Sequence, residues 1–136
     1  MKTRCGNKGA SLVLNYDVHS SFTYTEDYPN IAYNGYYTKL RGVNLNQYKW
    51  LIFFAKGDKR KGFTRVIRVE LKEMGRNSPY IVEGITDKWQ KIIIPLEKFE
   101  GIMRPEEFTI AFDYAVTKME GKIYIDDIYF SSRDNE

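Results

Sequence analysis

KIYIDDIYF, residues 122–130, alternates apolar and polar side chains and then breaks its own rhythm. A strand sends successive side chains to opposite faces, so Ile123 and Ile125 share one face while Ile128 and Phe130 have the opposite parity. One extra residue at Asp126-Asp127 restores the register, which is what a β-bulge does. Two adjacent carboxylates repel one another unless something positive faces them. A calcium ion, an arginine or ordinary backbone N–H groups each meet that requirement.

Working back from this strand, the chain is a series of short alternating runs. Residues 108–115, FTIAFDYA, turn Phe108, Ile110 and Phe112 inward and Thr109, Ala111 and Asp113 outward. In residues 89–96, WQKIIIPL, Ile92, Ile94 and Leu96 share a face, and Pro95 predicts an edge or a strand end. Residues 64–72 alternate Ile67, Val69 and Leu71 with Arg68, Glu70 and Lys72, giving one core face and one charged face. Residues 48–56, YKWLIFFAK, are apolar on both sides: Leu51, Phe53 and Ala55 on one, Trp50, Ile52 and Phe54 on the other.

Shorter strands are expected at 80–85, after a loop at 75–79, and at 36–41, after a turn at Asn34-Gly35. Residues 11–17, SLVLNYD, form another. Residues 18–34 keep no period and read as a long loop, a class often functional in compact domains. Residues 97–107 read as a loop holding a helical turn, and no segment has convincing helical periodicity. About eight short strands separated by turns predict a β-sandwich or barrel.

The 136 residues suit a single domain, with 1–10 a lead-in and 131–136 a polar tail. Aromatic residues make up 15%, eleven of them Tyr, and the net charge of +3 is mildly basic. No apolar run reaches the ~18 residues of a membrane span, so a soluble chain is expected. The first five residues lack the apolar core of a signal peptide. The single cysteine, Cys5, excludes an intrachain disulfide.

The run 43–58, VNLNQYKWLIFFAKGD, resembles a segment of the galactose-binding-like jelly-roll carbohydrate-binding modules. Residues 84–99, GITDKWQKIIIPLEKF, and 123–130 match the same pattern in the same order, and 11–17 with 36–40 resemble its earlier strands. The likeness covers nearly the whole chain from Gly9 onward, through structural motifs. It implies an all-β jelly-roll β-sandwich of two antiparallel sheets, the non-catalytic binding of a polysaccharide or oligosaccharide, and an extracellular or periplasmic setting within a larger protein. Many such modules hold a structural calcium (Ca2+) between an early acidic segment and the aspartate matching Asp126. This chain lacks the early acidic segment, so Asp126 is the one metal ligand carried over. The missing strand also leaves the side of Ile52 and Phe54 to be covered by residues 18–34, by another domain or by a second chain. The last two options define an alternative role, a protein-interaction or assembly scaffold.

The jelly-roll winding implies one sheet from the strands at 11–17, 48–56, 89–96 and 123–130. The other sheet, concave and ligand-facing in this family, takes those at 36–41, 64–72, 80–85 and 108–115. Its outer face presents Tyr37, Lys39, Arg68, Glu70, Glu83, Thr109 and Asp113, with Tyr24, Tyr28, Tyr33 and Tyr114 as ring platforms at the rim. Sugars need this mixture: a flat ring against the C–H face of a pyranose, and polar groups for paired hydroxyls. The same charges also read as cross-strand ion pairs on a solvated face.

Other chemistries are poorly supported. His19 has no Ser or Cys nucleophile beside it in sequence, and Cys5 lies near the chain end. A carboxylate pair for glycoside hydrolysis could be drawn from Glu70, Glu83 and Asp113, but nothing local singles them out. There is no phosphate-binding glycine loop and no Cys/His metal spacing. The basic tip Lys59-Arg60-Lys61 is a weak basis for nucleic-acid binding, so no nucleic-acid partner is expected.

Overall fold

Every second residue of the expected strands is apolar, and these positions meet across a single interior. The computed structural model describes residues 12–17, 34–112 and 120–132. Within them run β1 (Leu12–Asp17), β2 (Asn34–Lys39), β3 (Trp50–Gly57), β4 (Ile67–Glu73), β5 (Arg76–Val82), β6 (Gln90–Pro95), β7 (Glu107–Phe112) and β8 (Glu120–Ser131). They form two four-stranded sheets, ordered β1-β8-β3-β6 and β2-β7-β4-β5, with antiparallel neighbours throughout. This is the jelly-roll sandwich with the sheet membership expected from the winding.

Leu51, Phe53 and Ala55 of β3 face Ile67, Val69 and Leu71 of β4 and Phe108, Ile110 and Phe112 of β7 in one core cluster, all buried. Phe53 meets Phe108 edge-on at 6.2 Å, and Tyr16 stacks on Phe112 at 4.4 Å. Such ring contacts add to the area that the rings bury. The inward parities of β3, β4 and β7 are therefore those read from the alternation. In β6, Ile94 is buried and Ile92 is partly buried against the core. Pro95 ends that strand on the sheet's edge, where its missing N–H removes no ladder bond from a neighbour.

The bulge in β8 is where the alternation placed it. Ile52 pairs with Tyr129 and Phe54 with Asp126, so three steps along β8 match two along β3. Asp127 has φ +52°, in the left-handed region that Asp tolerates better than most residues. Ile123 and Ile125 reach the core before the bulge, and Ile128 and Phe130 pack against it afterwards. A backbone contact is among those that balance the carboxylates: the Asp127 N–H donates to Asp126 Oδ1 at 2.8 Å.

Three local expectations are corrected. The proposed loop at 75–79 is mostly strand: β4 and β5 form a tight hairpin in which Glu73 pairs with Arg76. Met74 (φ +45°) and Gly75 (φ +83°) alone make the turn, with the paired positive φ values that match strand twist. Pro79 is tolerated because β5 is an edge strand. The strand then stops at Val82 rather than Ile85, just before Gly84 at φ +83°. At Asn34-Gly35, β2 has already begun where a turn was expected. A 3-10 turn at Leu96–Lys98 is the helical turn expected after β6.

Candidate functional site

Register across the second sheet builds its outer face row by row. One row runs Tyr37, Thr109, Glu70, Pro79, and the next Lys39, Glu107, Lys72, Asn77. On the other side lies the row Gly35, Ala111, Arg68, Ile81. Five of the predicted residues, Tyr37, Lys39, Arg68, Glu70 and Thr109, thus share one face. Glu83 is exposed one residue beyond β5. Asp113 and Tyr114, with Tyr24, Tyr28, Tyr33, His19 and Cys5, lie outside the described residues.

Within this face the charges are cross-linked. Arg68 Nε lies 2.6 Å from Glu70 Oε2, and Lys72 Nζ lies 3.9 Å from Glu70 Oε1 and 3.6 Å from Glu107 Oε2. The Thr109 hydroxyl donates to Glu107 Oε2 at 3.2 Å. Glu70 is only 5% exposed, so its carboxylate orients Arg68 and Lys72 and offers little surface of its own. The site and ion-pair readings of this face are compatible: the pairs hold polar groups in fixed directions around a ring that is itself open. Tyr37 is that ring, at 60% exposure.

Beyond the Lys39 row the face runs into a groove of about 540 Å³. Lys39, Arg41, Lys72 and Arg76 line it, with Glu106 and Glu107. Its floor is held by backbone bonds, from Leu40 N–H to Glu106 O at 2.8 Å and from Glu106 N–H to Lys72 O at 2.7 Å. Beside it, Glu73 Oε1 accepts from the N–H groups of Met103 (2.7 Å) and Arg104 (2.8 Å), tying the β4–β5 hairpin to the preceding loop of β7. Those two donors, Met103 first, hold the Glu73 carboxyl below its usual range. The sequence reading missed this groove, although Lys39 and Arg41, two apart in the strand expected at 36–41, were a signal for it.

The opposite sheet is tied down differently. Lys56 Nζ sits 5.5 Å from the ring centroids of both Trp89 and Tyr124. The Tyr124 hydroxyl donates to Asp58 Oδ2 at 2.8 Å, and Asp58 Oδ1 accepts from Arg60 and Lys61 N–H. The basic tip at 59–61 is therefore a folded turn organised by Asp58, whose carboxyl is held low mainly by the Lys61 N–H and the Tyr124 hydroxyl. Ile52, set in register between Ile93 and Tyr129, is fully buried, and Phe54 is half-buried. These two side chains are not themselves open, while Val13 and Ile93 on the same face are exposed.

Among the described residues, no three Asp, Glu, His or Cys side chains gather into a metal site. Asp126 is 8% exposed and already accepts from Asp127 N–H, so the described donors do not by themselves make up a calcium shell. No helix among the described residues is long and apolar enough to cross a membrane.

The fold has clear counterparts among solved structures. One is a family 11 carbohydrate-binding module from Clostridium thermocellum, in complex with a β-1,3-1,4-mixed-linked tetrasaccharide. It matches at TM-score 0.65 and 14% identity over 93% of this chain and 78% of that one. A family 30 carbohydrate-binding module of a cellulosomal cellulase of Clostridium thermocellum matches at TM-score 0.66 and 22% identity, over 98% and 80%. A third, a carbohydrate-binding module specific for non-crystalline cellulose, matches at TM-score 0.62 and 10% identity, over 96% and 80%. No protein-family model and no curated protein matches the chain. The fold is thus the jelly roll of carbohydrate-binding modules, as the resemblance in residues 43–58 and 84–99 implied.

Proposed function

We propose that the protein is a non-catalytic carbohydrate-binding module that takes a polysaccharide or oligosaccharide along the outer face of the second sheet. The observation that carries this reading is the open Tyr37 ring, set in one row with Thr109 and Glu70 and flanked by the rows of Arg68 and Lys39. A pyranose stacked on Tyr37 would bring its hydroxyls toward Arg68 and Lys39, with Glu70 holding Arg68 in place. Glu83, Asp113 and Tyr114 are proposed as further contacts at the margin. Structural neighbours that are themselves carbohydrate-binding modules support the class of ligand. They also support an extracellular setting beside other domains. The Arg68–Glu70–Lys72 pairing weighs against Glu70 as a hydrolytic acid or base, because its oxygens are already engaged by cations.

Affinity electrophoresis over soluble β-glucans, xylan, mannans and galactans tests the reading. Retardation with a Kd of roughly 10 μM to 1 mM, abolished by Tyr37→Ala, is the expected result. Retardation that survives the substitution moves the site off this face, and its absence on every glycan overturns the function. Calcium at Asp126 rests on the resemblance alone. A melting temperature unchanged by EDTA excludes it.

A further inference from the structure

The groove beside Lys39 and Arg41 carries more positive charge than the fold requires. Four cations face two carboxylates, and both carboxylates are engaged: Glu107 by Lys72 at 3.6 Å, Glu106 Oε1 by the Met74 N–H at 3.4 Å. Arg76 spends one guanidinium N–H on the Gly101 carbonyl at 3.0 Å, which fixes its position without cancelling its charge. Among the described residues, no carboxylate lies within ion-pair distance of Lys39 or Arg41. The rest of the sheet face balances its charges pair by pair, whereas this end leaves a surplus on exposed side chains lining a cavity of ligand size.

Position completes the argument. Tyr37 and Lys39 are two apart on β2 and point the same way, about 7 Å from one another along the strand. A chain of sugars lying on Tyr37 therefore runs toward Lys39 and into the groove. From this geometry, and resting on the glycan reading above, we infer that the module selects an anionic glycan. Its ring carboxylate or sulfate is held by Lys39 and Arg41, with Lys72 and Arg76 behind them. Charge-assisted bonds to such a group are stronger than bonds to a hydroxyl, and arginine can grip it with two N–H donors.

The test compares polygalacturonate with the same polymer after carboxyl reduction, beside a sulfated galactan and a single-stranded DNA oligonucleotide. The expected result is an acidic polymer bound about tenfold more tightly than its neutral counterpart. That preference should shrink as ionic strength rises from about 0.01 to 1 M, where screening shortens from roughly 30 to 3 Å. Arg41→Gln should reduce the acidic-to-neutral ratio several-fold at an unchanged melting temperature. A preference for the sulfated galactan over polygalacturonate also supports the inference and assigns the anion as sulfate. Equal binding of the acidic and reduced polymers overturns the inference while leaving the glycan reading intact. No binding to any glycan overturns both. DNA bound as tightly as the acidic polymer overturns it in favour of unselective polyanion attraction.

Discussion

Ile52 on β3 and Tyr37 on β2 both point away from the core, on opposite outer faces of one sandwich, and their surroundings could hardly differ more. Ile52 is fully buried between Ile93 and Tyr129 in register, on a face that also carries the Lys56, Trp89 and Tyr124 cation–π group. Tyr37 stands open above a network of ion pairs. The first outer face covers Ile52 while Val13 and Ile93 stay exposed on it, and the second is a polar surface with one ring left free. Alternation tells which residues leave the core but not what they meet on the other side.

The comparison can be broken by truncating each residue. Ile52→Ala should cost about 2–5 kcal/mol in urea denaturation, as for a core isoleucine. A loss under 1 kcal/mol would show that this face is not packed. Gly57→Ala, at the end of β3, should cost about 1–3 kcal/mol, because a Cβ there runs into the Phe63 ring. Unchanged stability would show that the ring moves aside freely. Tyr16 sharpens the contrast from the interior: burial, its largest influence, pushes the phenol from 10.0 up to about 12. The unfolded chain then ionises first, so stability is full below pH 10 and falls by on the order of 1 to 2 kcal/mol as pH approaches 12. In Tyr16→Phe that alkaline slope should flatten, and an equal slope would assign it elsewhere. Tyr37→Ala should change stability least, by under about 0.5 kcal/mol, while removing glycan retardation.

Much of this architecture was legible in the chain, for physical reasons that particular residues show. Both halves of β8 announce themselves because a buried face tolerates no slip, so the parity change at Asp126-Asp127 had to be a bulge. The β4–β5 hairpin stayed hidden because Met74-Gly75 is an uncommon pair for a two-residue turn and Pro79 argues against a strand until the strand is known to be an edge. Five of the face residues were placed by alternation in β2, β4 and β7. The burial of Glu70 and of Ile52 was not foreseeable, since it depends on neighbours across the sheet rather than along the strand. The groove depends likewise on three separate segments, around residues 39–41, 72–77 and 106–107, that only the fold brings together.

The bulge at Asp127 also governs how this domain can change length. Before it, odd-numbered residues of β8 are inside; after it, even-numbered ones are. Removing that one residue would leave two steps of β8 against two of β3 and keep Ile128 and Phe130 on the core side, whereas adding one beside it would swing Tyr129 and Ser131 inward and bring Ile128 and Phe130 out. Strand β3, which reads its partner on both sides of the bulge, would after such an addition match one half of β8 or the other, never both. A single extra residue thus sets the phase between two halves of one strand, and the domain can lengthen its loops far more easily than it can gain a residue beside Asp127.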